Sequence, residues 1–480
     1  MTTDLPPLVV DLDGTLTPAD TLAESVVKLV KQSPSNLLRL ALVLPKGKAA
    51  FKRFVAANST CTPATLPYRE PLLDYLRSER ERGRRLILAT ASHKTTAEGV
   101  SAHLGIFDEV IATDTTNLKG KNKLDAIRNT VGEDFVYAGD SAADLPIWES
   151  AKAAILVSVS NTTSEAVRRV RPVEAEFSRD PVQLPTWAKA LRIHQWVKNL
   201  LIFVPVLTAF SFLEVGKLVD SAVAFLAFSL AASATYVVND LWDLDSDRIH
   251  PRKRRRPLAS AEVSIINALV VSASCLIVGL VLAGMLSTQF LLVLALYLVV
   301  TSSYSWVLKQ YVLIDVIVLS LLYTLRIIAG SVAIDVTTST WLLAFSVFLF
   351  LSLALVKRCS ELVALEKAGD AATSGRDYRV ADLTVLWPLG VGAAMSAVVV
   401  FGLFVSSPET AARYGTPLAL WLVALGLTYW LSRLWLKTGR GEMHDDPVVY
   451  AIKDRGSRVV VFFMAATMIA AHYFEIGPIR

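Results

Sequence analysis

Residues 236–248 read YVVNDLWDLDSDR and place several carboxylates directly after a long apolar run. The run itself, 218–238, has the length of a helix that crosses a bilayer. If that helix continues, Asp240, Asp243 and Asp247 lie on one face at positions i, i+3 and i+7. Carboxylates at a bilayer surface repel one another unless a cation joins them. The stretch therefore predicts a Mg²⁺ site that bridges to a diphosphate, with a solvated helix end as the alternative.

This spacing resembles the N-D-x-x-D-x-x-x-D motif that follows the second membrane helix in the UbiA superfamily of intramembrane prenyltransferases. The resemblance implies that the three aspartates bind Mg²⁺ and that Asn239 contacts the substrate. Apolar runs predict an all-α nine-helix transmembrane domain, with spans at about 199–213, 218–238, 263–284, 288–306, 311–334, 340–356, 384–406, 417–436 and 458–475.

The composition separates this chain from ordinary soluble proteins, because 53% of its 480 residues are hydrophobic and only 19% are charged. Its three cysteines, Cys61, Cys275 and Cys359, have no metal-binding spacing and fit a reducing cytosol. The first residues lack the basic start and long apolar core of a signal peptide. We therefore expect a multi-pass protein of the cytoplasmic (inner) membrane. Nothing in the sequence indicates an oligomeric state.

Positive charges are concentrated in alternate loops of the predicted membrane domain. The loops after spans two, four, six and eight are basic, whereas the opposite loops hold almost only Lys217 and Arg413. This asymmetry predicts that the N-terminal domain and the Asp-rich loop are cytoplasmic and, with nine spans, that the C-terminus is outside. Topology and anionic membrane lipid explain the basic run 252–256 better than nucleic acid does.

The first third of the chain has no run long enough to span a bilayer and begins with a short apolar strand at residues 8–10. Asp11 and Asp13 follow this strand and point the same way on an extended segment, while Gly14 allows a sharp turn. Such a pair is typical of a nucleophile with a general acid/base beside it. A calcium loop is rejected, because its twelfth position requires Glu and holds Leu22 here.

Three further signals follow in order along the chain. Thr90 ends a second apolar strand, Lys123 lies at a helix start, and Asp140 and Asp144 follow a third strand. Strands that alternate with helices predict a doubly wound α/β (Rossmannoid) sheet with its site at the carboxyl ends of the strands.

Together these residues resemble the four ordered motifs of the haloacid dehalogenase (HAD) phosphatase superfamily, and the resemblance covers residues 1–178. It implies that Asp11 attacks a phosphoryl group, while Asp13 protonates the leaving group and then activates water. It also implies that Thr90 and Lys123 hold the phosphoryl oxygens. Mg²⁺ is expected at a site formed by Asp11, the Asp13 carbonyl and Asp140, with Asp144 in support. The alternative is a catalytically inactive domain that is kept for assembly. No motif residue is missing, so the sequence does not favour this alternative.

About seventy residues separate the first two motifs, and much of this insert has helical patterning. We interpret the insert as a small helical cap over the site. Its Lys46, Lys48, Lys52 and Arg53 fit a solvated face better than a contact with an anionic substrate.

Residues 179–198 are predicted to form a linker and an interfacial amphipathic segment, ahead of a membrane domain at 199–480. The segment resembles the R-P-x-Q-W-x-K-N entry of one UbiA branch, the polyprenyl-phosphate (decaprenyl-phosphate) phosphoribosyltransferases, although Ile193 replaces its Pro. Lys198 is then a candidate phosphate contact, with an interfacial snorkelling lysine as the alternative.

Further polar residues of the membrane domain resemble the same branch, namely Tyr304, Lys309, Asp315, Arg326, Lys357, Arg358, Glu361, Arg376, Tyr378, Lys453 and Arg455. Asp315 and Arg326 lie three turns apart on one helix face, and a buried structural link between them is the alternative to substrate binding. Ordinary UbiA enzymes carry a second Asp-rich motif after span six, where this chain has the basic Lys357-Arg358-x-x-Glu361. One metal motif with many fixed cations fits a donor diphosphate and a separate monophosphate acceptor.

The resemblance thus implies transfer of 5-phosphoribose from 5-phosphoribosyl diphosphate to a polyprenyl phosphate, with one Mg²⁺ site in each domain. The product still carries a 5-phosphate, so we expect the HAD domain to remove it, an inference from the fusion alone. The main alternative is a prenyltransferase that acts on an aromatic acceptor, against which the missing second motif counts. A transporter or lipid-binding scaffold with a regulatory phosphatase is disfavoured, because the spans show no paired halves.

Overall fold

The computed structural model describes residues 5–59, 61–114, 117–178, 183–369, 376–443 and 446–475. The chain divides into two compact units, the first formed by Met1–Arg192 with Tyr236–Ala273 and the second by Ile193–Thr235 with Ser274–Arg480. The Asp-rich stretch therefore groups with the N-terminal domain. The predicted linker residues 179–182 lie outside the described residues.

Six parallel strands form the sheet of the first unit, in the order β3-β2-β1-β4-β5-β6. Their bounds are Leu8–Val10 (β1), Leu86–His93 (β2), Glu109–Thr113 (β3), Val136–Gly139 (β4), Ala153–Val157 (β5) and Val173–Phe177 (β6). β1 pairs with β2 on one side and β4 on the other, and all three of its residues are buried. Burial on both faces explains why this strand is apolar throughout. The predicted doubly wound fold is confirmed.

Nine helices precede the second unit, with bounds Thr21–Gln32 (α1), Asn36–Val43 (α2), Lys48–Asn58 (α3), Glu70–Glu81 (α4), Lys94–Leu104 (α5), Lys121–Val131 (α6), Leu145–Trp148 (α7), Asn161–Val170 (α8) and Leu184–Ala190 (α9). The first three form the insert between β1 and β2 that the sequence predicts as a helical cap. They share a small core of their own around Leu29, Leu40 and Val55.

The remaining helices are Val204–Thr208 (α10), Val215–Trp242 (α11), Leu244–Ile249 (α12), Ile265–Leu286 (α13), Thr288–Trp306 (α14), Ile314–Ala333 (α15), Thr340–Ala368 (α16), Leu383–Val405 (α17), Pro408–Arg413 (α18), Leu420–Gly439 (α19), Pro447–Lys453 (α20) and Arg455–Tyr473 (α21). Within the second unit, α16 packs with α15, α17 and α19. The core there includes Tyr323, Phe350, Leu362 and Trp435.

Eight helices among the described residues are long and apolar enough to cross a membrane. The predicted nine-helix domain is therefore approximate, and among the described residues the difference lies at the first predicted span, 199–213. This region forms a 3₁₀ helix, Ile193–Phe203, followed by the short α10. Pro205 lies in the first turn of α10, where proline is tolerated but ends the preceding helical hydrogen bonding.

Candidate functional site

The sheet order places the predicted motifs of the N-terminal domain at one edge. Strand order reverses between β1 and β4, and parallel α/β sheets bind ligands outside the carboxyl ends of strands at such a point. Asp11 follows β1, Asp140 follows β4, and Thr90 lies on the neighbouring β2. Residues far apart in the chain are thereby brought to one edge.

We call Asp11, Asp13, Lys123, Asp140 and Asp144 the strand-end cluster. Single carboxylate oxygens of Asp11, Asp140 and Asp144 all lie within 4.8 Å of one another. Lys123 Nζ lies 2.8 Å from Asp11 Oδ1. The structure therefore brings four of the predicted residues into direct proximity.

Tyr137 joins this cluster and was not predicted. Lys123 Nζ donates a hydrogen bond to the Tyr137 hydroxyl at 2.7 Å, and that hydroxyl donates to Asp144 Oδ1 at 3.1 Å. Tyr137 lies inside the apolar strand β4, where a tyrosine has the pattern of a core residue, so no signal in the sequence marks it.

The electrostatics of the strand-end cluster favour a bound cation. Burial raises the pKa of Asp140 to about 7, and the carboxylates of Asp11 and Asp144 add to the rise. Burial also raises the pKa of Asp11, although Lys123 opposes it. Three hard oxygen ligands that repel one another and converge within 4.8 Å fit Mg²⁺.

Gly14 explains why the turn after the first motif requires glycine. Its φ is +81°, and a Cβ added there would lie 2.1 Å from Asp140 Oδ2. The absence of a side chain therefore permits the close approach of the first motif to Asp140.

Asp13 is held by groups from the cap and from β2. Asp13 Oδ1 accepts the backbone N–H of Thr21 at 2.7 Å, and Ser92 Oγ donates to Asp13 Oδ2. Burial raises the pKa of Asp13 to about 6. A carboxyl group with such a pKa exchanges protons readily near neutral pH, as a general acid/base must.

The structure gives Thr90 and Ser92 different surroundings. Thr90 is fully buried, and its hydroxyl accepts the backbone N–H of Ser92 at 3.0 Å. Ser92, which sequence reasoning missed, contacts Asp13 directly. The sequence does contain a signal for Ser92, because it is a second hydroxyl residue and lies only two positions after Thr90.

Lys52 of the cap departs from the solvated face predicted for it. Its Nζ donates to the carbonyl of Ala91 at 2.7 Å and to Asn117 Oδ1 at 2.7 Å. Burial lowers the pKa of Lys52, while Asp13 and Asp20 oppose this shift. Lys46, Lys48 and Arg53 are exposed, as predicted.

We call Asp240, Asp243 and Asp247, with Arg192 and Arg256, the helix-end cluster. The backbone N–H of Asp243 bonds to Asn239 O and that of Asp247 to Asp243 O, so helical bonding continues across the short break between α11 and α12. Arg256 Nη1 contacts Asp240 Oδ1 at 3.0 Å and also Asp247 Oδ2. Arg192 pairs with Asp240.

Among the residues described, the three aspartates of the helix-end cluster do not form a group within 4.8 Å, whereas Asp11, Asp140 and Asp144 of the strand-end cluster do. Asp247 Oδ1 is buried without a hydrogen-bond partner in the described part of the chain, and Lys253 Nζ lies 3.8 Å from it. An acidic oxygen in this position fits a cation. Arg192 and Arg256 were not predicted, although Arg256 belongs to the basic run noted above.

Helix α1 of the cap packs against the Asp-rich stretch within the first unit. Glu24 accepts two hydrogen bonds from Arg248, at 2.9 Å and 2.5 Å, and both side chains are almost fully buried. One turn further, Lys28 Nζ lies 3.4 Å from Asp245 Oδ2. Thr21, which binds Asp13, is only three residues before Glu24. Helix α1 therefore contacts the strand-end cluster through Thr21 and residues adjacent to the helix-end cluster through Glu24 and Lys28.

In the second unit, Lys198 and Lys357 converge on Asp446, which sequence reasoning left out of the site. Their Nζ atoms lie 2.8 Å and 3.7 Å from Asp446 Oδ2. The hydroxyl of Tyr323 lies 3.4 Å from the same carboxylate. Although burial raises the pKa of Asp446, the two lysines lower it below its usual range. The neighbouring Asp445 lies outside the described residues.

Arg326 and Asp315 are both buried, but they do not pair with each other. Arg326 Nε donates to Asn199 Oδ1 at 2.9 Å and Nη2 donates to the Tyr297 hydroxyl at 3.1 Å. Asp315 instead accepts from Arg358 Nη2 at 2.6 Å and from the Tyr378 hydroxyl. The alternative of an Asp315–Arg326 link is therefore wrong, because packing of α15 against α16 supplies a nearer cation.

The other predicted residues of the second unit lie around these groups. Arg358 also binds Glu361, and Arg376 lies 3.7 Å from Glu361 and is hydrogen-bonded to Tyr304. Lys309 is half-buried, whereas Lys453 and Arg455 are exposed. The structure thus divides the predicted cations into buried paired groups and more accessible ones.

Comparison with known proteins assigns both parts of the chain. Residues 202–468, more than half of the chain, match the UbiA prenyltransferase family. The chain belongs to this family. Residues 8–149 match the haloacid dehalogenase-like hydrolases, so a HAD-like domain precedes the UbiA domain. Both resemblances drawn from the sequence are confirmed, and the chain is a multi-pass membrane enzyme.

Three relatives match different shares of this chain. The uncharacterized protein y4nM of Sinorhizobium fredii is 39% identical over 97% of this chain and 91% of its own length. The nodulation protein NoeC of Azorhizobium caulinodans is 33% identical over 60% of this chain and 94% of its own length. A decaprenyl-phosphate phosphoribosyltransferase of Mycolicibacterium smegmatis is 32% identical over 60% of this chain and 92% of its own length.

Among solved structures, a UbiA homologue from Archaeoglobus fulgidus bound to GPP and Mg²⁺ is similar to this chain. It is 16% identical with a TM-score of 0.45, and the similarity covers 60% of this chain and all of that one.

Proposed function

We propose that the UbiA domain transfers 5-phosphoribose from 5-phosphoribosyl diphosphate to a polyprenyl phosphate, and that the HAD-like domain removes the 5-phosphate from the product. The observation that carries the proposal is the basic character of the second unit. Lys198 and Lys357 share the single carboxylate of Asp446, so positive charge is in excess there. The similarity to a decaprenyl-phosphate phosphoribosyltransferase supports the same assignment.

In the transfer reaction, Asp240, Asp243 and Asp247 would hold Mg²⁺, which supplies charge neutralisation for the leaving diphosphate. Arg192 and Arg256 already face these carboxylates and are further candidate diphosphate contacts. The oxygen of the lipid phosphate attacks the anomeric carbon, and the carbon–diphosphate bond breaks.

The predicted cations of the second unit have different roles in this proposal. Lys198 and Lys357 are exposed enough to bind phosphate oxygens, with side chains 14% and 33% accessible. Arg358 is wholly enclosed by Asp315, Glu361 and Tyr378, so it acts by positioning. Tyr304, Lys309, Arg376, Lys453 and Arg455 stay predicted substrate contacts, as does Asn239 of the first unit.

In the phosphatase reaction, Asp11 attacks the phosphoryl group and Lys123 neutralises the phosphoryl oxygens. Asp13 gives its proton to the leaving hydroxyl and then takes a proton from the attacking water. Asp11, the Asp13 carbonyl and Asp140, with Asp144 in support, would hold Mg²⁺, which supplies further charge neutralisation. Ser92 and Thr21 orient the Asp13 carboxyl group.

We further propose that the HAD-like domain lies in the cytoplasm and that the C-terminus is outside. The basic loops support this orientation. An odd number of crossings is possible, because a 3₁₀ helix rises about 2.0 Å per residue and an α-helix 1.5 Å, so residues 193–208 are about 30 Å long. That length matches a hydrocarbon core.

A second candidate is transfer of a prenyl chain from its diphosphate to an aromatic acceptor, which the family match itself favours. The test uses membranes with Mg²⁺, labelled 5-phosphoribosyl diphosphate and polyprenyl monophosphate. We expect a labelled lipid that Asp240→Ala abolishes. No labelled lipid, together with prenylation of an aromatic acid, would establish the second candidate instead.

The phosphatase assignment is tested in the same assay with Asp11→Asn. We expect transfer to continue and the phosphorylated lipid to accumulate. An unchanged phosphate content of the lipid product would contradict the assignment, and wild-type protein incubated in parallel is the control.

A further inference from the structure

Helix α2 of the cap has an apolar face that no described residue covers. Leu37, Leu38 and Leu42 are 56%, 72% and 73% exposed, and Leu44, the first residue after α2, is 63% exposed, whereas Leu40, about half a helical turn from Leu38, is buried in the small core of the cap. Large exposed apolar patches mark sites of protein, ligand or membrane contact.

Basic side chains surround this patch. Arg39 lies within α2, and Lys46 and Lys48 follow it, all three exposed. Leucines flanked by cations form the pattern of a helix that lies in a membrane interface, with its apolar face in the acyl boundary and its cations at anionic headgroups.

Contacts within the first unit place α2 near the end of a membrane span. Lys31 Nζ, at the end of α1, donates to the carbonyl of Trp242 at 2.6 Å. Trp242 is the last residue of α11, a candidate span. Asn36, the first residue of α2, donates back to Leu29 O at 2.8 Å, which keeps the start of α2 beside the end of α1.

The depth of Trp242 can be derived from helix geometry. The apolar run of this span ends at Val238, four residues earlier, and a helix rises 1.5 Å per residue. Trp242 therefore lies about 6 Å beyond the hydrocarbon, at the level of the headgroups, which are roughly 5–7 Å thick on each side. Helix α2 starts at the same level.

We propose that α2 is a membrane-contacting element of the HAD cap, which inserts its leucines into a bilayer containing anionic lipid. The arrangement brings the cap to the surface where a lipid-linked phosphate would be found. A detached domain would have to extract such a substrate from the bilayer.

The test measures membrane depth in the full-length protein reconstituted in nanodiscs that contain phosphatidylglycerol. Cys275→Ser removes the half-exposed native thiol, since Cys61 and Cys359 are buried. Leu38→Cys or Leu42→Cys then carries an NBD label, and lipids brominated along the acyl chain act as quenchers.

Val170→Cys is the matched control, because Val170 is an apolar residue of the same domain, 49% exposed at the end of α8. Insertion of about 5–10 Å predicts quenching at positions 38 and 42 at least about twice that at 170. Equal quenching at all three positions overturns the proposal. A blue-shifted label without lipid quenching also overturns it, because protein then covers the helix.

A functional readout rests on the phosphatase activity proposed above. For Leu38→Glu with Leu42→Glu, we expect hydrolysis of a soluble aryl phosphate to stay unchanged and hydrolysis of the lipid-linked phosphate to fall about tenfold. If lipid quenches the labels but the protein hydrolyses neither substrate, the membrane contact of α2 stands and the proposed phosphatase activity is refuted. If lipid does not quench the labels but the protein hydrolyses both substrates, the phosphatase activity stands and the membrane contact is refuted.

Discussion

Within the first unit, the carboxylates of Asp11, Asp140 and Asp144 in the strand-end cluster and the three carboxylates of the helix-end cluster balance their charge differently. At the strand ends, the three carboxylates converge within 4.8 Å and Lys123 is the cation that contacts Asp11. At the helix end, Arg192 and Arg256 pair directly with Asp240, and Arg256 also reaches Asp247.

The difference has a geometric origin. The carboxyl ends of neighbouring parallel strands lie side by side. Aspartates that follow such strands therefore come close to one another although their side chains are short, and no bridging group is needed. Residues two turns apart on a helix are separated by about 10 Å along its axis, and long guanidinium side chains can bridge between them. The strand-end cluster is therefore built to concentrate negative charge on one cation, whereas the helix-end cluster carries counter-ions of its own.

The largest effect is expected from Gly14→Ala, which breaks the convergence of the strand-end cluster. The added Cβ would lie 2.1 Å from Asp140 Oδ2 and displace this carboxylate. We expect phosphatase activity on a soluble phosphate ester to fall about a hundredfold or more, while transfer is unchanged.

Gly83→Ala is the control for this substitution. Gly83 has φ +83°, close to the +81° of Gly14, but a Cβ there meets nothing within 4 Å. Both variants carry the same backbone strain, so an equal loss of activity in both would show that strain and not the Asp140 contact is responsible.

The next largest expected effect is a pH dependence of stability that arises at the strand-end cluster. In EDTA, the pKa of Asp140 is about 7 in the folded protein, above its value in an unfolded chain. The folded state then binds more protons, so the stabilisation is complete below about pH 4 and is lost as pH rises through 7. We expect the free energy of unfolding to fall by on the order of 4 kcal/mol over this range, at about 1.36 kcal/mol for each pKa unit.

The measurement is the melting temperature of the N-terminal domain at pH 5 and pH 8 in EDTA, with and without added Mg²⁺. Asp140→Asn should flatten the pH dependence, whereas Asp247→Asn should leave it in place. If the melting temperature of Asp140→Asn fell between pH 5 and pH 8 by as much as that of the wild type, the pH dependence would come from another group.

A smaller effect tests helix α1, which contacts the strand-end cluster and residues adjacent to the helix-end cluster. Glu24→Gln leaves the buried guanidinium of Arg248 without its carboxylate partner, one residue from Asp247. We expect transfer to fall about tenfold through misplacement of the helix-end cluster, with phosphatase activity within about twofold of wild type.

Lys28→Gln provides the smallest expected change. The Lys28–Asp245 pair is 3.4 Å apart and its side chains are 28% and 37% exposed, so solvent screens it. We expect transfer rates within about twofold of wild type. A loss as large as that of Glu24→Gln would mean that general packing of α1, and not the buried ion pair, controls the motif.

Much of the fold could be predicted from local patterns. The strand at residues 8–10 was predicted with its observed bounds, and the insert that follows it was predicted to be largely helical, because apolar runs and helical periodicity persist in the native state. The first span failed, because composition does not distinguish a 3₁₀ segment from an α-helix around Pro205.

Ion-pair partners were the least predictable feature. A shared helix face made pairing of Asp315 with Arg326 the alternative to substrate binding, yet Arg358 of α16 binds Asp315 instead. Asp446 likewise receives Lys198 from a segment about 250 residues earlier. No local pattern encodes such partners, since they depend on which helices pack together.

The sequence by itself determined the two families, the acidic motifs of each domain and the apolar runs that become membrane helices, because spacing and hydropathy are local properties. Only the tertiary structure decided which cations face each motif, that Tyr137 and Ser92 contact the strand-end cluster, and that α1 contacts both this cluster and residues adjacent to the helix-end cluster. It also decided that the leucines of α2 are exposed. These features depend on contacts between segments that are distant in the chain, and such contacts form only when the helices and strands pack together.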